Sequence, residues 1–266
     1  MKVVMLHDSA YVGAAFAKWL RRMGVEVKTM LLQSVLKTTR VLRSIDADLV
    51  HAHYARVPAW AALLSGKRFV VHCHGDDIRH GYSLLNKLAL KKASLILHST
   101  PDLEGLVKRS VYLPNPVDTE LFQPRRNVVK VKRALYFTHQ TAHPKTRGEE
   151  PLRGIVDACR EADVEVTILP KGSAKYEDMP SLLPSYDMFL DHWMCKAYSK
   201  TVLEAMRMCI PVIGYETPLE ELKQKIIAVK ENPKPLIERG LRIVEEHKPE
   251  KVAAKLNQLY LTVLKK

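Results

Sequence analysis

Two histidine pairs and one glutamate are the residues of this chain best placed by their spacing to do chemistry. His51-x-His53 and His72-x-His74 each close a short apolar run. Period two along a strand puts both members of a pair on one face of a sheet. The second pair runs on into Asp76 and Asp77, so imidazoles and carboxylates share one turn. Neutral imidazoles with a carboxylate are a donor set for zinc, with a bound water as nucleophile. His51, His53 and His72 also read as ordinary strand-end residues. Glu204 stands in Thr201-x-x-Glu204, the spacing of a capping box, with Ser199 as a competing cap.

The elements that must position these residues follow from periodicity. In residues 186–216 an apolar run (Met188 to Leu190) reads as a buried strand, TVLEAM has helical spacing, and PVIGY is a second buried run. Strand, loop, helix and strand make one βαβ unit, whose ligands sit at the carboxyl ends of strands and beside helix N-termini. The first half repeats the pattern. Strands are predicted at KVVML, VEVKTML, DLVHAH, RFVVHCHG and SLILHST, and helices over residues 11–23 and 34–45, around Trp60 and Leu64, and over Leu84–Lys92. Such alternation points to a doubly wound parallel sheet. LPNPVDTELFQP then interrupts it with three prolines, a rigid extended connector. The pattern restarts at RALYFT, continues through a helix over residues 152–161 and the strand VEVTILP, and ends in helices.

SKTVLEAMRMCIPVIGYE resembles the segment reading (S/G)-x-x-x-x-EAM-x-x-G-x-PVI in group 1 type retaining glycosyltransferases of the GT-B fold. HCHGDD is similar to that family's t-x-HG-x-D segment, and LPNPVD-x-x-x-F-x-P to the LPNGVD segment that closes its first domain. The resemblance implies two Rossmann-like doubly wound parallel-sheet domains facing a cleft, the second shortened here. It divides the chain into an acceptor-side domain over 1–124, a nucleotide-sugar-binding domain over 125–250, and a last helix, 251–266, crossing back to the first. It also implies roles. Glu204 grips the ribose of the donor nucleotide, and the helix start at Ser199 and Thr201 faces the diphosphate. Arg147 aligns with the family's phosphate-binding Lys, with Lys145, His139 and Lys171 as further cations. His74 lies at the reacting sugar, oriented by Asp76 or Asp77, and Gly75 permits the tight turn beside it. Gly13 opens space after the first strand for the diphosphate or the acceptor. Lys196 stands where the family has a second Glu contacting the donor sugar, and Trp193 is placed to stack on a base or sugar.

Composition narrows the partners. Nearly half of the 266 residues are apolar, with no run approaching a membrane span. The opening MKVVMLHD is too short for a signal peptide and reads as a strand. Cysteines at 73, 159, 195 and 209 have no metal-knuckle spacing and suggest reduced thiols in a cytoplasm. The net charge of +13 suits phosphorylated ligands or an anionic membrane. Nucleic acid is not expected, because no aromatics interleave the Lys and Arg. The resulting expectation is a retaining hexosyltransferase-like enzyme with a nucleotide diphosphate sugar as donor and a carbohydrate or lipid-linked acceptor. No metal or other cofactor is obligatory, and the expected place is cytoplasmic, peripheral on the inner membrane face. Two alternatives stand beside it: a nucleotide-binding paralogue without transferase activity, motivated by Lys196, and a zinc-dependent hydrolase on His72, His74 and Asp76. The latter set is one residue from the HxHxDH pattern of metallo-β-lactamase type hydrolases.

Overall fold

The computed structural model describes residues 1–8, 10–79, 81, 83–124, 128–138, 152–170, 172–193 and 196–265. Six strands, β1 (Lys2–Leu6), β2 (Glu26–Met30), β3 (Leu49–His53), β4 (Phe69–Cys73), β5 (Leu95–His98) and β6 (Ser110–Tyr112), form one sheet in the order β2-β1-β3-β4-β5-β6. Every pairing is parallel, and His53 stands in register with His72. Helices α1 (Val12–Arg22), α2 (Val35–Ser44), α3 (Val57–Ser65) and α4 (Leu84–Lys92) connect the first strands. Serines start two of them: Ser34 accepts from the Lys37 N–H and Ser83 from the Asn86 N–H, satisfying donors that a helix start leaves open.

A parallel sheet must be covered on both faces, and β3 and β4 are buried at every position. Val50, Ala52, Val71 and Cys73 point to one side, where Leu42, Ala59, Ala62 and Ala89 of α2, α3 and α4 pack. Leu49 and Val70 point to the other, against Phe16 and Leu20 of α1. Period two then carries His51, His53 and His72 to the α1 side.

The second sheet contains β7 (Arg133–Thr138), β8 (Glu165–Pro170), β9 (Met188–Leu190) and β10 (Val212–Ile213) in the parallel order β10-β9-β7-β8. Its helices are α5 (Leu152–Glu161), α6 (Met179–Leu182), α7 (Lys200–Arg207), α8 (Leu222–Glu231) and α9 (Lys234–Glu245). Helix α9 brings Gly240 so close to α7 that a Cβ there would meet Met206 Cγ at 2.9 Å. The last helix, α10 (Pro249–Leu264), packs Val252, Leu256 and Tyr260 into the core of the first sheet.

The chain thus forms two compact units, Met1–Pro116 with His247–Lys266, and Val117–Glu246. The first division falls earlier than the 124/125 boundary read from the prolines. The cause is packing: Val117 and Phe122 of the connector are fully buried in the second core. The second falls earlier than residue 251, because His247 Nδ1 bonds Asn115 O at 2.7 Å.

Candidate functional site

In the first unit the two histidine pairs converge. Because β3 and β4 are parallel neighbours, His51, His53, His72 and His74 form one block of imidazoles. Ring centroids are 4.6 Å apart for His51 and His53, 4.4 Å for His72 and His74, and 5.2 Å for His53 and His74. His51 Nδ1 shares a 2.5 Å hydrogen bond with Tyr260 Oη, and His51 Nε2 lies 3.3 Å from His72 Nδ1. His53 Nδ1 bonds His74 Nε2 at 2.9 Å, so the tautomers of these two rings are coupled. Burial first, and neighbouring imidazoles second, hold all four well below the ordinary histidine pKa. They are neutral rings at physiological pH. His51, His53 and His72 are fully buried, as is every position of β3 and β4.

The Asp77 carboxylate, one of two expected to orient His74, holds backbone instead. Asp77, fully buried, accepts through Oδ1 from the N–H groups of His74 and Gly75 and through Oδ2 from that of Ala55, at 3.0, 2.9 and 2.7 Å. It clamps the turn's backbone, while the imidazole is held by His53. Asp76 is exposed, and its carbonyl accepts from Arg56. Gly75 has φ +115°, and a Cβ there would collide with the Arg79 guanidinium, which Asp102 holds from two oxygens. The set that could hold a metal is correspondingly different from the expected one. His51, His53 and His72 bring ligand atoms within 4.8 Å of one another, and Asp76 does not join them.

Gly13 lies in the first turn of α1. Its N–H donates to Asp8 Oδ1 at 2.8 Å and that of Ala14 to Oδ2 at 3.1 Å, so the start of α1 is already neutralised by a carboxylate. The space left by the missing Cβ faces His53 Nε2, 3.1 Å from where that carbon would sit. Gly13 thus makes room for the imidazole block.

In the second unit the site lies at the carboxyl end of β9. Helix α7 begins at Lys200, and its cap is Ser199, whose Oγ accepts from the Val202 N–H at 3.3 Å. Thr201 is therefore inside the helix, and the capping box with Glu204 does not form. Glu204 instead projects into the protein with 2% of its surface exposed. Lys200 Nζ is 3.4 Å from Glu204 Oε1, but that ammonium donates to Tyr176 Oη at 3.1 Å and lies 4.3 Å from the Tyr176 ring centroid. Oε1 makes no well-formed hydrogen bond and is met by the Lys200 ammonium as an ion pair. Burial raises the carboxyl to about 7, against the opposing pull of Lys200 and Tyr176. A buried carboxylate oxygen held only by a long ion pair gains from a further donor.

Buried Asp191 follows β9, and its Oδ2 accepts from the N–H of the cap residue Ser199 at 3.5 Å. A Cβ on Gly214 would sit 3.1 Å from Asp191 Cβ. Asp191 and Tyr176 were not singled out from the sequence; a buried acid directly after an apolar strand is the signal that could have found Asp191. Lys196 is exposed. Trp193 donates Nε1–H to Thr217 O at 2.6 Å and packs its ring on the core, which makes it a brace. Lys145, Arg147, Lys171 and His139 lie outside the described residues.

Two parallel-sheet units of this kind define the class of the fold, and comparison with solved structures names it. Sucrose-phosphate synthase from Thermosynechococcus elongatus matches with a TM-score of 0.71 at 14% identity over 99% of each chain. The catalytic domain of starch synthase IV from Arabidopsis thaliana, bound to ADP and acarbose, matches with 0.68 at 10% identity over 100% of this chain and 99% of that one. AviGT4, a glycosyltransferase of avilamycin A biosynthesis, matches with 0.67 at 16% identity over 99% and 98%. The chain has the GT-B fold of these glycosyltransferases. No protein-family model matches the sequence, and no curated protein does.

Proposed function

We propose that the protein transfers a sugar from a nucleotide diphosphate sugar to an acceptor, with retention of configuration. The observation that carries this reading is Glu204: an acid almost wholly buried one turn into the helix after β9, whose Oε1 faces the Lys200 ammonium at 3.4 Å without a well-formed hydrogen bond. The two hydroxyls of a ribose are donors of the right kind for it. The N-terminal end of α7 carries partial positive charge, and with Arg147, Lys145 and Lys171 it would stabilise the departing diphosphate. His74, a neutral imidazole steadied by His53, would stand at the sugar. Electrostatic preorganisation is the main catalytic contribution expected with a phosphate leaving group. The reading requires no metal, and the basic chain suits an acceptor that is lipid-linked or held at an anionic membrane on the cytoplasmic side.

Lys196 in place of an acid supports a second reading, in which the nucleotide binds but no sugar is moved. A melting-temperature screen with UDP, GDP and ADP, their nucleosides and a chelator tests the shared part. A ligand confined to the native state stabilises it by about 2.7 kcal/mol at a hundredfold excess over Kd. One nucleoside diphosphate should stand out, its nucleoside should do much less, and the chelator should change nothing. No shift with any nucleotide, together with a fall on chelation, would overturn the assignment. Sugar release from the matching donor then separates transfer from binding alone.

A further inference from the structure

Helices α2, α3 and α4 of the first unit carry no acidic residue. No Asp or Glu occurs in residues 27–45, 49–75 or 78–101, which contain all three helices. The helices lie side by side over one face of the sheet, opposite the imidazole block. Their outer surfaces alternate leucine with cation. Leu36 is 79% exposed, Leu84 82%, Leu64 46% and Leu88 45%. Lys37, Arg40, Lys91 and Lys92 stand exposed among them. Beside α4 an open groove of about 350 Å³ is lined by Lys87, Lys91, Lys108 and Arg109 over Leu90 and Leu106. Glu104, the nearest acid along the chain, is not part of its wall.

We infer that this face docks the protein on a bilayer containing anionic phospholipid, with the groove beside α4 receiving lipid phosphates. The chemistry selects a bilayer over other polyanions. Single leucines standing out from a helix layer enter the boundary of acyl chains, while flanking Lys and Arg meet the headgroups. A nucleic-acid surface would offer aromatic platforms for bases, and the aromatic ring of these helices, Trp60, is instead tied to Asn86 Oδ1 through its Nε1–H at 2.9 Å. The inference deepens the transferase reading, on which it rests for its purpose: an enzyme held on the surface meets a lipid-linked acceptor in two dimensions.

The full chain is sedimented with vesicles of phosphatidylcholine alone and of phosphatidylcholine and phosphatidylglycerol in equal parts. Binding should require the anionic lipid and should fall away near 1 M salt, where the screening length is about 3 Å. Lys91→Glu with Lys108→Glu should lower partitioning by about tenfold or more, consistent with loss of roughly 1 kcal/mol per surface cation. Separately, Leu84→Ser with Leu88→Ser should lower it by removing the side chains that enter the acyl boundary. All four side chains are exposed, so both variants should fold and keep the nucleotide-dependent melting shift of the parent. Equal binding to the two vesicle types, insensitivity to both variants, or preference for RNA or an acidic polypeptide over the vesicles would overturn the inference. The two readings fail separately: vesicle binding without a nucleotide shift rejects the transferase, and the converse rejects the docking face.

Discussion

Glu204 shows how a residue's neighbours decide between two roles that sequence spacing leaves open. Thr201-x-x-Glu204 and Ser199 both offered a helix start, and the chain uses Ser199, in extended conformation with ψ 159°. That moves Glu204 two positions further into the helix, beside Tyr176 from a segment no local pattern connects to it. Its carboxyl, raised to about 7 by burial, is above its unfolded value, so ionising it disfavours the fold. The penalty is absent below about pH 4.5 and complete above about pH 7. Glu204→Gln should therefore leave apo stability at pH 8 unchanged or raised, while Ser199→Ala costs about 1 kcal/mol. Nucleotide affinity should fall by the equivalent of roughly 1.5–3 kcal/mol, the usual worth of a charged hydrogen bond. In the parent, affinity should also climb as pH rises towards 8, and the variant should lose that dependence. Isothermal titration at pH 6 and 8 measures both, and a variant that binds as the parent does at both pH values removes Glu204 from the ribose.

At the scale of elements, the strand pair β3–β4 turns two separate x-His motifs into one feature. The period-two pattern made it legible that each pair shares a face. What brings the pairs together is register, His53 against His72, and register between strands cannot be read from either strand alone. Tyr260 was beyond reach for the same reason, being 209 residues from its partner His51. Asp77 was legible as a residue of the turn but not as a backbone clamp, because its acceptors are used by N–H groups that carry no sequence signal. The four histidines lie below their unfolded pKa, so their contribution is intact above about pH 6.5 and is lost on acidification. Each can steepen the fall by up to about 1.4 kcal/mol per pH unit. Urea denaturation between pH 7 and 5 should show a steep loss of stability, opposite in sign to the effect of Glu204. His72→Gln should flatten it, and a parent whose stability is level over that range would mean that the imidazoles are hydrated and titrate normally.

For the whole molecule, the alternation of strand and helix made both sheets readable, since each buried strand is a short apolar run bounded by turn residues. The division between units was less so. Proline marks where a chain is stiff, whereas the boundary falls where Val117 and Phe122 begin to pack into the second core. The last helix shows the same priority of packing over chain order. Its Leu256 and Tyr260, fully buried, complete the core of β1, β3 and α1, although the helix follows the whole second unit in sequence. Leu256→Ala should therefore destabilise the first unit by about 2–5 kcal/mol, the cost of a large-to-small change in a close-packed core. Hydrogen exchange should accelerate in peptides from β1, β3 and α1, with those from β7 and β9 keeping the parent's rate. Among the described residues, the core around β7 and β9 contains no side chain from α10, and Leu256 packs in the first core. Equal acceleration in both sets would mean that the two units open as one cooperative block.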